Sequence, residues 1–199
     1  THEGEFYSFP RTSSAPLPLQ KDGPPIWVAA RDPNSHEFAV AQGCDVQVTP
    51  LWKGEEEIAL LMDTFNAACQ KFPDQPRPRI MLLLHTYVAD SPQDVKLAAQ
   101  ELNRFYCYFG AWFMNKREIN GGWIKPLTDA EIAAHPFYTP VAMERDLVIG
   151  EPEQVIARLK HYEAMGFDEY SFWIDSSMPF QRKKASLERF ISDVMPAFQ

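Results

Sequence analysis

Four times in this chain a short apolar run is followed, after a polar or proline-marked break, by a segment with helical spacing. The runs are residues 26–30, 44–49, 79–89 and 168–174, rich in aliphatic and aromatic side chains, as strands buried on both faces are. Residues 37–42 read as the first helix, stopped by Gly43. Glu55–Lys71 carries Ile58, Leu61, Met62, Phe65, Ala68 and Cys69 at the three-and-four spacing of an amphipathic helix. Ser91-Pro92-Gln93-Asp94 resembles a capping box and opens a helix to about Phe113, unusually aromatic at its far end. Another helix starts at Gly150-Glu151-Pro152 and stops at Gly166, and residues 180–194 form the last. Strands alternating with helices predict an α/β fold with about four parallel strands.

The first unit carries the most chemistry. Pro24-Pro25 keeps the chain extended into the strand. The strand ends at Ala30, and Arg31-Asp32-Pro33-Asn34-Ser35 is a cluster of turn-formers. Asp32 suits the N-cap with Pro33 at the first helical position, and Ser35 can offer its hydroxyl to the first-turn amides. Strand, tight turn, helix leaves free N–H groups at a helix N-terminus, an arrangement that binds phosphate. The same spacing also describes an ordinary βα connection.

The length suggests one domain over 1–199, or part of a larger one, because α/β barrels run to about 250 residues. A net charge of −8 argues against nucleic acid or an anionic membrane as a partner. The cysteines (Cys44, Cys69, Cys107) lack metal-type spacing and read as buried thiols of a reducing, cytoplasmic compartment. No apolar run approaches the roughly 18 residues of a membrane span, and no signal peptide is recognisable. The proline-rich segment 10–25 reads as a surface connection. Residues 114–143, broken by Gly121-Gly122, Pro126, Pro136 and Pro140, are expected to be a mobile insertion or lid.

Within the third strand His85 stands among Met81, Leu82, Leu83, Leu84 and Val88, where an unpaired imidazole is costly. It reads either as a functional group in a cavity or as a structural histidine with a local partner. Tyr87 shares its face. Trp52, after the second strand, and Trp173, in the fourth, stand where they flank a ligand or simply fill the core. Asp45 and Asp175 lie near strand ends, but no hydrolase or metal-ligand spacing joins them, so no metal is expected.

Three stretches now fall into order: Gly4-Glu5-Phe6-Tyr7 running to Pro25-Ile26-Trp27-Val28-Ala29-Ala30; Val148-Ile149-Gly150-Glu151-Pro152-Glu153-Gln154-Val155 with Ala157-Arg158-Leu159; and Ser192-Asp193-Val194-Met195-Pro196. Together they resemble the bacterial luciferase-like family of flavin-dependent monooxygenases over nearly the whole chain. The resemblance implies the C-terminal half of a (β/α)8 TIM barrel. The sequence departs from the family at Glu151, where threonine is usual, and at Arg31-Asp32, where small residues are usual.

What the resemblance implies for function is a monooxygenase that uses reduced FMN, supplied by a flavin reductase, and dioxygen to oxidise a small organic substrate. Ala30, Arg31, Asp32 and Ser35 then hold the FMN phosphate, with the backbone of Asp32 facing the anion. His85 is the catalytic candidate, and Trp52, Tyr87 and Trp173 face the substrate. A deazaflavin-dependent oxidoreductase, or a non-catalytic flavin-binding or structural piece of such a barrel, is the alternative. Open edge strands and interior residues of half a barrel predict a homo-oligomer, or pairing with the missing half.

Overall fold

A computed structural model describes residues 1–199 other than Ser14, Asp22, Lys116 and Gln199. An exposed hairpin of β1 (His2–Glu3) and β2 (Ser8–Phe9) opens the chain. The alternation follows: β3 (Trp27–Ala29), α1 (Pro33–Ala41), β4 (Asp45–Val48), α2 (Glu55–Lys71), β5 (Ile80–Val88) and α3 (Pro92–Phe113). Then come a second hairpin, β6 (Ile119–Asn120) and β7 (Trp123–Ile124), and two short helices, α4 (Asp129–Ala133) and α5 (Pro140–Asp146). The chain closes with β8 (Val148–Gly150), α6 (Pro152–Met165), β9 (Glu169–Trp173) and α7 (Phe180–Arg189).

The strands β3, β4, β5 and β9 lie side by side in that order, all parallel, as the alternation predicts. Ala29, Gln47, Met81 and Glu169 stand level across them. β8, absent from the sequence expectation, pairs with Thr86–Val88 at the far end of β5. The two faces of the sheet differ. Val46, Val48, Ile80, Leu82 and Leu84 are at most 1% exposed in the core beneath the helices. Gln47, Met81, Leu83, Ser171 and Trp173, on the other face, are only half-buried, and Ala29 is exposed. Helices on one side and an open opposite side are the arrangement of a barrel wall.

Local chemistry explains the boundaries. α1 begins at Pro33 rather than at Glu37, because Asp32 caps it and proline presets the first helical φ. Ser91 caps α3 by accepting from the Asp94 N–H at 3.2 Å, but the return arm of a capping box is missing. The Asp94 carboxylate reaches instead to Tyr87. α6 stops at Gly166, whose φ of +106° is costly for other residues. The last helix is not continuous over 180–194. It widens at Phe190–Val194 into a π turn, in which Phe190 meets Phe172 edge-on at 4.9 Å and Val194 is fully buried.

Residues 114–143, of which position 116 lies outside the described residues, contain regular structure. Arg117 straps the segment, donating to Lys125 O at 2.9 Å and Pro126 O at 2.8 Å and pairing with Glu131 at 2.8 Å. Thr128 and Glu131 form a capping box on α4.

Candidate functional site

The carboxyl ends of the parallel strands bring the polar and aromatic candidates to one edge of the sheet. At the end of β3 the Ala30 N–H donates to Gln47 O at 3.0 Å, and the chain turns into α1. The Asp32 carboxylate accepts from the Ser35 N–H at 3.1 Å and from the Ser35 hydroxyl at 2.6 Å. These bonds hold its carboxyl below the ordinary range. Ser35 therefore serves its own cap. Arg31 turns to the other side, donating to Thr49 O at 3.2 Å and pairing with Glu57 in the first turn of α2. Lys53 also approaches Glu57, at 3.3 Å. The four turn residues are thus together, with the arginine's charge on Glu57 and the cap donors on Asp32. One residue further, His36 is fully buried near Phe65, and burial lowers its pKa.

The second group is aromatic. His85 and Trp173 are register partners on β5 and β9, and their rings stack with centroids 3.9 Å apart. His85 Nδ1 lies 2.7 Å from the Tyr106 hydroxyl of α3. Trp52 meets Tyr106 edge-on at 5.8 Å and Tyr138 at 5.1 Å, so Trp52, His85 and Trp173 belong to one cluster. Burial pulls the pKa of His85 down to about 4, so its ring is neutral at physiological pH. Its Nε2 is buried with no partner at ordinary hydrogen-bond distance among the described residues, and Asp175, through its backbone and its charge, lies near the ring.

Tyr87 borders the same narrow cleft as His85 and Trp173, but its hydroxyl faces elsewhere. It donates to Asp94 at 3.0 and 3.2 Å; Arg182 pairs with that carboxylate at 2.7 Å and lies over the Tyr87 ring. This network ties β5 and the start of α3 to α7. Tyr106 and Tyr138 are the cluster members that the sequence pattern did not single out. The aromatic end of α3 was a visible signal, but at helical spacing it reads as core; Tyr138 sits in aperiodic sequence with no signal at all. Among the described residues no group of His, Cys, Asp or Glu side chains could hold a metal ion. No described helix is long and apolar enough to cross a membrane.

The site is therefore a polar turn at a helix N-terminus, linked along the open sheet face to a wall of aromatic rings around a neutral histidine. The family model described as luciferase-like monooxygenase matches residues 1–169. The chain belongs to the luciferase-like monooxygenase family. It is 68% identical over 197 residues to the flavin-dependent trigonelline monooxygenase, oxygenase component, of Acinetobacter baylyi, covering 99% of this chain and 55% of that protein. It is 25% identical over 160 residues to the uncharacterized protein y4vJ of Sinorhizobium fredii, covering 80% of this chain and 44% of that one. The chain spans about half the length of the curated relatives it matches.

Solved structures agree on the fold of this luciferase-like chain. Monooxygenase RslO1 from Streptomyces bottropensis superposes with a TM-score of 0.70 at 20% identity, over 100% of this chain and 55% of that one. An F420-dependent secondary alcohol dehydrogenase, in complex with an F420-acetone adduct, gives 0.66 at 12% identity, over 100% and 56%. The oxygenating constituent of 3,6-diketocamphane monooxygenase from Pseudomonas putida, in complex with FMN, gives 0.59 at 14% identity, over 98% and 57%. The chain is about half of a luciferase-like TIM barrel.

Proposed function

We propose that this chain is part of the oxygenase component of a flavin-dependent monooxygenase, which takes reduced FMN from a separate flavin reductase and uses dioxygen to oxidise trigonelline. The observation that carries this reading is the 68% identity, over nearly the whole chain, to the trigonelline monooxygenase component.

The site's chemistry supports it. Trigonelline is a flat N-methylpyridinium ring bearing a carboxylate. A cationic ring gains from aromatic faces, and Trp52 and Trp173 offer half-buried ones. His85, neutral because it is buried, does not repel the cation. FMN, when bound, supplies the oxygen chemistry, and the protein's part is to bind, orient and exclude water. Ala30, Arg31, Asp32 and Ser35 are the residues that would hold its phosphate. At the aromatic end the cleft beside His85 and Trp173 has room for about one water molecule, so a planar ring enters only when that cleft opens. At the turn, Arg31 must exchange Glu57 for the phosphate, because its charge is now spent on that carboxylate.

The test is the full-length protein with FMN, NADH and a flavin reductase, following oxygen and trigonelline together. Coupled consumption of both is expected. Normal flavin binding with no loss of trigonelline would remove the substrate assignment, and absence of FMN binding would remove the flavin assignment.

A further inference from the structure

His85 makes one side-chain hydrogen bond, with the Asp175 backbone also against the ring, and the geometry of the side-chain bond decides which nitrogen carries the proton. The Tyr106 hydroxyl is completely buried, and His85 Nδ1 at 2.7 Å is its partner among the described residues. Two arrangements are possible for a neutral ring. If Nδ1–H donates to the phenol oxygen, the phenolic hydrogen and the Nε2 lone pair are both left buried without partners. If Tyr106 donates to Nδ1, Nε2–H is left over and the phenol oxygen accepts nothing. Each arrangement leaves one donor and one acceptor unmet, but an imidazole nitrogen is a much stronger acceptor than a phenol oxygen, so the second, which uses the better acceptor, wins. Burial also raises the phenol's pKa, which keeps its hydrogen in place for donation. The ring cannot turn freely to escape this choice: it is stacked on Trp173 and met edge-on by Phe105 at 5.0 Å.

We propose that Tyr106 is a positioning residue: its hydroxyl holds His85 as the Nε2–H tautomer, so that, when the cleft beside Trp173 opens, the site presents a hydrogen-bond donor, not a proton acceptor, to what enters it. Nε2 is buried with no partner at ordinary hydrogen-bond distance among the described residues. The narrow cleft that His85 helps to line, with Thr86, Trp173, Ser176, Lys183 and Ser186 in its wall, has room for about one water, so a ligand reaches Nε2 only when this cleft opens. A carboxylate oxygen or a flavin carbonyl is the kind of acceptor it would satisfy. The donor role toward a bound ring rests on the flavin and trigonelline reading above, whereas the tautomer does not.

The experiment is long-range proton–nitrogen NMR of the full-length protein carrying nitrogen-15 histidine, at neutral pH and without ligand. His85 should show a protonated Nε2 and a bare Nδ1; the opposite tautomer, or an even mixture, overturns the proposal. Tyr106→Phe removes only the hydroxyl and should produce a tautomer mixture. Tyr138→Phe removes a neighbouring hydroxyl and should leave the tautomer as it was. An unchanged His85 spectrum in Tyr106→Phe overturns the positioning role. Should that variant fail to fold, a ring-fluorinated tyrosine at 106, a stronger donor, should move the Nδ1 resonance, and a stationary resonance overturns it equally. Oxidised FMN and trigonelline are then added separately. One of them should shift the Nε2–H signal and bind about threefold to tenfold more weakly to Tyr106→Phe, the effect of one neutral hydrogen bond. Binding of both without any shift overturns the donor role. Failure of both to bind overturns the functional reading and the donor role with it, while the tautomer result stands.

Discussion

The imidazole of His85 lies flat on the indole of Trp173, with centroids 3.9 Å apart and planes 19° from parallel. The pair forms where β5 and β9 run level, and the far half of α3 packs across it through Phe105 and Tyr106. The stack shields one face of the imidazole, α3 covers its edge, and the ring stays uncharged as a result.

Stability should therefore depend on pH through His85. The unfolded chain protonates this ring below about 6.5 and the folded protein only below about 4. Between those values the unfolded state holds more protons, so stability is complete above pH 6.5 and falls as the pH drops toward 4. From pH 7 to pH 5 this contributes roughly 2 kcal/mol. In His85→Gln the pH dependence should be shallower by about that amount in urea unfolding. Parallel curves for the two proteins would refute it.

Arg31 and Glu57 set up a second prediction. If Arg31 exchanges Glu57 for the FMN phosphate, Glu57→Gln should tighten FMN binding and Arg31→Ala should weaken it. A charge-assisted contact is worth about 1.5–3 kcal/mol, so the loss in Arg31→Ala should be roughly tenfold or more in a fluorescence titration. Equal affinities in all three proteins would show that the phosphate lies elsewhere.

The Tyr87–Asp94–Arg182 network gives a third. Arg182→Met leaves the Asp94 carboxylate, only 12% exposed, without its cation. Breaking a fully buried pair costs about 3–5 kcal/mol; Arg182 is 28% exposed, which lowers the expected loss to roughly 2 kcal/mol. The double variant Arg182→Met, Asp94→Asn should recover part of it, because the stranded charge is gone. No recovery in thermal unfolding would mean that the charge is not the cause.

Gly110 provides a fourth. A Cβ there would meet the Tyr138 ring at 2.8 Å. Gly110→Ala gains up to about 1 kcal/mol of helix propensity but overpacks at a cost of about 1–3 kcal/mol, so a net loss is expected. Tyr138 should also move off Trp52 and change the tryptophan emission. A stabilised protein with unchanged emission would contradict this.

The sequence by itself determined the four main strand-and-helix units and their order, but not β8, the two hairpins or the short helices α4 and α5. Alternation of apolar runs with helical spacing, the Asp32-Pro33 start of α1 and the Gly166 stop are local, since each depends on residues within a turn or two. Those patterns sufficed for the α/β class, and three ordered motifs sufficed for the family. Tertiary structure alone decided the partners. Nothing local shows that Arg31 turns to Glu57, that Asp94 abandons its capping box for Tyr87 and Arg182, or that Val148–Gly150 pairs with the end of β5. Nor does any pattern join Tyr106 and Tyr138 to His85, Trp52 and Trp173. Apart from Tyr87–Asp94, seven residues apart, each of those contacts links segments far apart in the chain. The partner is chosen by strand register and by which side chain reaches across once α3 is packed, and neither leaves a periodic trace in the sequence.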